Sequence, residues 1–153
     1  MTCSALVVTP DQAEEVIERK LRDARVARLA TIDQDGHLHL IPVCIVYDGR
    51  AFYTALDAKP KRVPPERLAR TRHIQTNPNV ALLFDEYEED WEKLWYILVR
   101  GTAELLSAKE LEEQAKARRL LKAKYPNYAA GLLPDGALII RILPTRITSW
   151  GKL

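Results

Sequence analysis

Apolar residues recur early in the chain at Ala13, Val16, Ile17, Leu21 and Ala24, a spacing that gathers them on one face of a helix. Thr9-Pro10-Asp11-Gln12 reads as its start, with Thr9 as N-cap, Pro10 at the first helical position and Gln12 closing a capping box. Arg25 to Asp33 then reads as a strand, Asp35-Gly36 as a hairpin turn, and His37 to Tyr47 as a strand rich in Ile and Val. Pro42 lies inside that strand. A proline has no N–H to give to a ladder, so an edge or bulge position is predicted. Asp48-Gly49 marks a second hairpin, into Arg50 to Leu56. A helix from about Pro65 to Thr76, stopped by Asn77-Pro78, precedes two strands, Asn79 to Tyr87 and Leu94 to Leu106. Ser107-Ala108-Lys109-Glu110 is a capping box that opens an amphipathic helix to about Lys124, ended by Tyr125-Pro126. Gly136 to Leu143 and Thr145 to Trp150 read as a last strand or pair of strands, broken at Pro144.

Consecutive hairpins without alternating helices exclude a doubly wound parallel sheet. The order predicts a mainly β fold, a small closed or partly closed antiparallel barrel with helices outside it. A chain of 153 residues is expected to form one domain, residues 1–153, burying roughly 70% of its unfolded surface. Cys3 and Cys44 have neither metal-ligand spacing nor a disulfide framework, which favours a reducing cytoplasm. The longest apolar run, Leu40 to Tyr47, is too short to cross a bilayer, and Thr2 to Pro10 lacks the basic region and cleavage site of a signal peptide. A net charge of +2 argues against nucleic acid as a partner.

Charge is nevertheless segregated. From Lys59 to Arg72 there are six cations and one acid, Glu66. Pro60, Pro64 and Pro65 hold Lys59, Lys61 and Arg62 in non-helical backbone. Converging Lys and Arg donors suit a phosphate dianion, although a solvated turn has the same composition. Asp85 to Glu92 carries six acids and reads as a solvated loop, or as a rim or subunit contact.

Several motifs occur in a fixed order: Arg28-Leu29-Ala30-Thr31, Asp35-Gly36, His39, Pro42-Val43, Phe52-Tyr53-Thr54, the basic segment, Asn77-Pro78-Asn79-Val80-Ala81-Leu82 and Arg100-Gly101-Thr102-Ala103. Together they resemble the pyridoxamine 5′-phosphate oxidase-like, FMN-binding split-barrel superfamily over roughly residues 10–150. Asp57-Ala58-Lys59-Pro60-Lys61-Arg62 and Asp90-Trp91-Glu92-Lys93-Leu94-Trp95 are most similar to a branch described as dependent on the deazaflavin coenzyme F420. The chain departs from the pattern at His73, where many relatives carry Asn, and in the longer Pro64-Pro65-Glu66-Arg67 segment.

The resemblance implies an antiparallel split barrel and a homodimer with two cofactor sites completed across the subunit interface. It implies that Lys59, Lys61 and Arg62 hold the phosphate of coenzyme F420, or alternatively of FMN, with Thr54 as a hydroxyl donor. Pro42 and Val43 would lie along the ring, offering backbone groups and apolar surface, and Trp150 would near the cofactor from the last strand. Arg67, Arg70 and Arg72 would serve the longer deazaflavin tail, or form a solvated helix face. The activity implied is an oxidoreductase that passes a hydride from reduced F420 to an unsaturated or conjugated small organic acceptor. The cofactor carries that chemistry, so no catalytic residue is singled out. Arg146 to Leu153 lacks the arginine- and histidine-containing substrate stretch of the true oxidases, so pyridoxamine phosphate oxidation is not expected.

Other chemistries find less support. His37 and His39 share one strand face, but no third ligand is placed by motif, so no metal site is expected. Trp91, Trp95 and Trp150 suit core or interface packing. Ser4, Ser107 and Ser149 lie in no nucleophile elbow, and no glycine-rich Walker loop occurs. Two functions of other classes remain: a flavin-binding carrier or sensor without turnover, and a barrel for single-stranded nucleic acid. The second needs successive exposed aromatics along a positive groove, whereas here the tryptophans cluster beside acids.

Overall fold

The computed structural model describes residues 10–56 and 65–153. Helix α1 spans Pro10–Asp23 and carries the predicted apolar face, with Leu21 buried and Ile17 packed on the core. Its expected N-cap, Thr9, lies outside the described residues. The first hairpin joins β1, Ala27–Ile32, to β2, Leu38–Val43, in the register Ala27 to Val43. Gly36 takes φ +82° in its turn, where a side chain would be strained. The second joins β3, Val46–Tyr47, to β4, Phe52–Ala55, through Gly49 at φ +95°. Then follow α2, Pro65–Thr76; β5, Asn79–Glu86; β6, Trp95–Leu105; α3, Leu111–Lys124; and β7, Ile139–Gly151.

All seven strands form one antiparallel sheet in the order β2-β1-β5-β6-β7-β4-β3. The edges are β2 and β3, yet only Cys44 and Ile45 separate them in sequence. In a flat sheet those edges would stand about 29 Å apart, six strand spacings of about 4.8 Å. Three Cα–Cα steps reach about 11 Å. The sheet therefore has to curl until its edges approach, and the fold is a mainly β, antiparallel split barrel with peripheral helices. Pro42 sits on β2, an edge strand, as its missing donor predicts.

Alternate residues fill the barrel: Ala27 and Leu29 from β1, Leu82 and Phe84 from β5, Ile97 and Val99 from β6. On the outside, α3 covers β4 and the first part of β7, burying Ala117 and Leu121 against Tyr53, Ala55 and Ile139. The end of α3 clamps the seam. Lys124 Nζ donates to the carbonyls of Arg22 (2.8 Å), Ile45 (2.9 Å) and Ala24. The Tyr125 hydroxyl donates to the Arg25 carbonyl (2.8 Å) and accepts from the Ile45 N–H (2.9 Å). One ammonium and one phenol thus satisfy carbonyls at the end of α1 and both backbone polar groups of Ile45, in the link between the two edge strands.

Three expectations change. The strand expected over His37 to Tyr47 is two strands, because the chain leaves one sheet edge at Val43 and rejoins the other at Val46. Pro144 does not break the last strand: β7 is continuous, with the register shift between Arg100 and Gly101 opposite Pro144 to Arg146. A bulge accommodates a proline that cannot donate. The Ser107–Glu110 box forms, with the Ser107 N–H donating to Glu110 Oε2 at 2.7 Å, but as a turn before α3 rather than its first turn.

Candidate functional site

Five strands, β2, β1, β5, β6 and the later part of β7, expose one broad face that no described helix covers. Register puts Pro42, Arg28, Leu83, Leu98 and Thr148 in one row across β2, β1, β5, β6 and β7. Asp85, Tyr96 and Trp150 form the adjoining row. The strands alternate, so the facing residues of each row share the outward side while their neighbours enter the core. Leu38 (77% exposed), Leu40 (66%) and Trp150 (54%) leave this face strongly apolar. Trp150 stacks on Tyr96, ring centroids 5.8 Å apart and planes 17° from parallel, beside a recess of about 400 Å³ shared with Leu83, Leu94 and Asp85. Arg28 Nη1 meets Asp85 Oδ1 at 2.7 Å across the face.

Each residue expected at a cofactor site has a definite place, or lies outside the described residues. Pro42 is exposed on the edge strand. Val43 is buried, so its side chain belongs to the core and only its backbone is left for a ring. Thr54 is buried in β4, two residues before the described chain breaks off at Leu56. Lys59, Lys61 and Arg62 lie outside the described residues. Of the helical cations, Arg72 is exposed but Arg70 is buried, which removes Arg70 from the solvated face. Trp150 is not a neighbour of Pro42 within one chain, because Thr148 in the next row is already four strand spacings from Pro42, about 19 Å measured along the curled sheet. Among the tryptophans only Trp95 is buried, its indole N–H donating to Glu86 Oε2 at 3.2 Å, while Trp91 stands exposed on the acidic loop.

A second cluster assembles from residues that sequence reasoning did not join. The backbone N–H groups of Asp35 and His37 both donate to Asp33 Oδ1 at 2.9 Å. Oδ2 is left facing His37 Nδ1 at 3.2 Å and His39 Nε2 at 3.3 Å. His73 comes from α2, its ring centroid 4.3 Å from that of His39 and its Nδ1 3.1 Å from the hydroxyl of buried Thr31. These hydrogen bonds, the His37 N–H above all, hold the Asp33 carboxyl well below the usual carboxylate range. Burial first, then the His39 ring, lowers the pKa of His73. All three histidines of the chain therefore meet one aspartate. The sequence shows His37 and His39 on one strand face and His73 where similar chains carry Asn, but nothing in it joins the three or brings Asp33 to them.

None of the described helices is long and apolar enough to cross a membrane. Residues 12–151 match the family model described as pyridoxamine 5′-phosphate oxidase. Sequence comparison with curated proteins finds no match. Among solved structures, a conserved hypothetical protein of Mycobacterium tuberculosis is similar at 21% identity and TM-score 0.69, over 98% of this chain and 90% of that one. HutZ, a heme storage protein from Vibrio cholerae, is similar at 15% identity and TM-score 0.69, over 91% and 94%. An FAD-binding protein of Mesorhizobium loti is similar at 21% identity and TM-score 0.62, over 90% of each chain. At these identities the likeness is one of fold.

Proposed function

The chain belongs to the pyridoxamine 5′-phosphate oxidase family, and from that premise we propose that it is a cofactor-dependent oxidoreductase using coenzyme F420, with FMN as the alternative occupant. The observation that carries the reading is the run from buried Thr54 at the end of β4, through Lys59, Lys61 and Arg62, to the start of α2 at Pro65. In sequence the three cations follow the strand that carries Thr54 and precede a helix N-terminus, and both the cations and the helix N-terminus favour a phosphate. Pro42 and Leu40 offer an exposed apolar ledge, bordered by Arg28 in its ion pair with Asp85. When bound, the deazaflavin supplies a hydride to an unsaturated or conjugated acceptor. The chain's own part is to anchor the phosphate through Lys59, Lys61 and Arg62 and to orient and dry the ring face.

On this reading the site is completed by a second copy of the chain. Leu38, Leu40, Tyr96 and Trp150 form an exposed apolar face larger than isolated surface residues account for, and pairing two such faces removes it from water. Pairing also offers a partner's Trp150 to a site that its own chain does not reach. Leu40→Asp, which sets a carboxylate on the β2 edge of that face, is expected to convert a dimer into a monomer in sedimentation-velocity runs and to weaken cofactor binding with it. A monomeric wild type, or an undisturbed dimer in the variant, would remove this face as the interface.

The test of the cofactor is a pair of fluorescence titrations, with FMN and with F420, each repeated at high salt. Tighter binding of F420 that salt weakens supports the reading, and oxidation of the reduced coenzyme by added quinones or enones then separates an enzyme from a carrier. Tighter binding of FMN moves the protein to the flavin branch, and binding of neither refutes the proposal.

A further inference from the structure

The Asp33 cluster has no part in the cofactor reading, and its donor atoms converge at spacings that an ion's ligands can also adopt. Charge-assisted contacts between imidazolium and carboxylate settle at about 2.7–2.9 Å. Here Asp33 Oδ2 lies 3.2 Å from His37 Nδ1 and 3.3 Å from His39 Nε2. Two ligands of a tetrahedral ion with bonds of about 2.0–2.1 Å stand about 3.3 Å apart. One ligand atom from each of Asp33, His39 and His73 lies within 4.8 Å of the others.

We propose that Asp33, His39 and His73 bind a divalent first-row transition ion of the zinc type, with solvent in the remaining position. Two imidazoles and one carboxylate form a borderline donor set that suits Zn²⁺ or Co²⁺ and is poor for the hard, all-oxygen preferences of Mg²⁺ or Ca²⁺. The ligands are prepared. Asp33 Oδ1 is occupied by two backbone N–H groups, which fixes Oδ2 toward the histidines. The Thr31 hydroxyl holds the His73 ring through Nδ1, the kind of outer contact that orients ligating imidazoles. His37, on the other side of Oδ2, steadies the carboxylate. The cluster opens on a recess of about 400 Å³ lined also by Gln34, Asp35 and Arg72, and the Asp33 and His39 side chains are 20% and 45% exposed, so an ion can enter. Arg72 opposes a cation there and Asp35 offsets it. The ligands come from the β1–β2 hairpin and from α2, so the ion would pin to the barrel the helix that directly follows the Lys59–Arg62 segment.

The experiment uses untagged full-length protein, stripped with a chelator, at fixed neutral pH. Zn²⁺ is titrated in competition with a chromophoric chelator, and Co²⁺ is added separately to read its visible bands. One ion per chain is expected, with the Co²⁺ spectrum of a low-coordinate N/O site. His39→Ala and His73→Ala should each weaken Zn²⁺ by more than about 100-fold, and His37→Ala by about tenfold, the cost of losing an orienting contact. His73→Asn, closer in size, serves if the alanine variant loses its circular dichroism. Binding well below one ion per chain, or stoichiometric binding that survives in the His39→Ala/His73→Ala double variant, overturns the proposal.

Discussion

Gly101→Ala is expected to cost about 2–4 kcal/mol, lowering the thermal midpoint by about 5–15 °C for a chain of this size. The cause is local and rigid. A Cβ on Gly101 would lie 2.4 Å from the Leu143 carbonyl oxygen, 3.1 Å from its carbonyl carbon and 3.3 Å from Ile142 Cγ2. Two of those three atoms are backbone, held by the β6–β7 ladder where it bulges at Pro144, so neither can swing away as a side-chain end would. Relief requires the two longest strands to part at the point where their register shifts. Gly136 is the control: nothing stands within 4 Å of a Cβ built there. Circular dichroism melts of the two alanine variants decide the matter. An equal, small effect at both positions would mean that the bulge gives way freely and that the contact at Gly101 does not constrain it.

The second large effect is on binding. Replacing Lys59, Lys61 and Arg62 together with Ala should weaken the cofactor at least tenfold, and loss of more than one contact should multiply the effect. A single charge-assisted contact to a phosphate is worth about 1.5–3 kcal/mol, and about 1.4 kcal/mol is already a factor of ten. The wild-type affinity should fall with salt and that of the triple variant should hardly respond, because the charges that salt screens have gone. Affinity unchanged by the substitutions would show these three side chains to be solvated and would detach the proposed function from its main support. Far-ultraviolet dichroism of the variant guards against reading a folding defect as a binding defect.

Local chemistry accounts for what the sequence foretold. Asp35-Gly36 and Asp48-Gly49 demand a turn wherever they occur, and Pro65 with Asn77-Pro78 brackets α2 at both ends. What escaped was decided by distant parts of the chain. Nothing near Cys44 says that the strand will quit one sheet edge for the other, because that follows from curling of the whole sheet. Pro144 looks like a terminator until Gly101 is seen across from it, leaving room for a bulge. His73 reaches His39 only because α2 packs on β1, and no spacing rule links a helix residue to a hairpin so far away. The cofactor residues divide in the same way. Pro42 could be assigned to an edge from its missing N–H, whereas the distance between it and Trp150 needs the strand order.

The position of β7 bears on how the chain is made. It is the last described strand in the sequence, yet it lies inside the sheet, between β6 and β4. Until those residues leave the ribosome, β4 has only the two-residue strand β3 beside it, and Ala55 and Tyr53 have no Ile139 to pack on. Phe52 on β4 pairs with Ile142 on β7, so closing the sheet means bringing together residues that are synthesised far apart. The β1–β2 hairpin and β5–β6 can form during synthesis, but the barrel cannot. A nascent chain halted before Ile139 would expose an apolar trough and an unpaired strand edge, the state in which such a sheet is most open to chaperones and to its own copies.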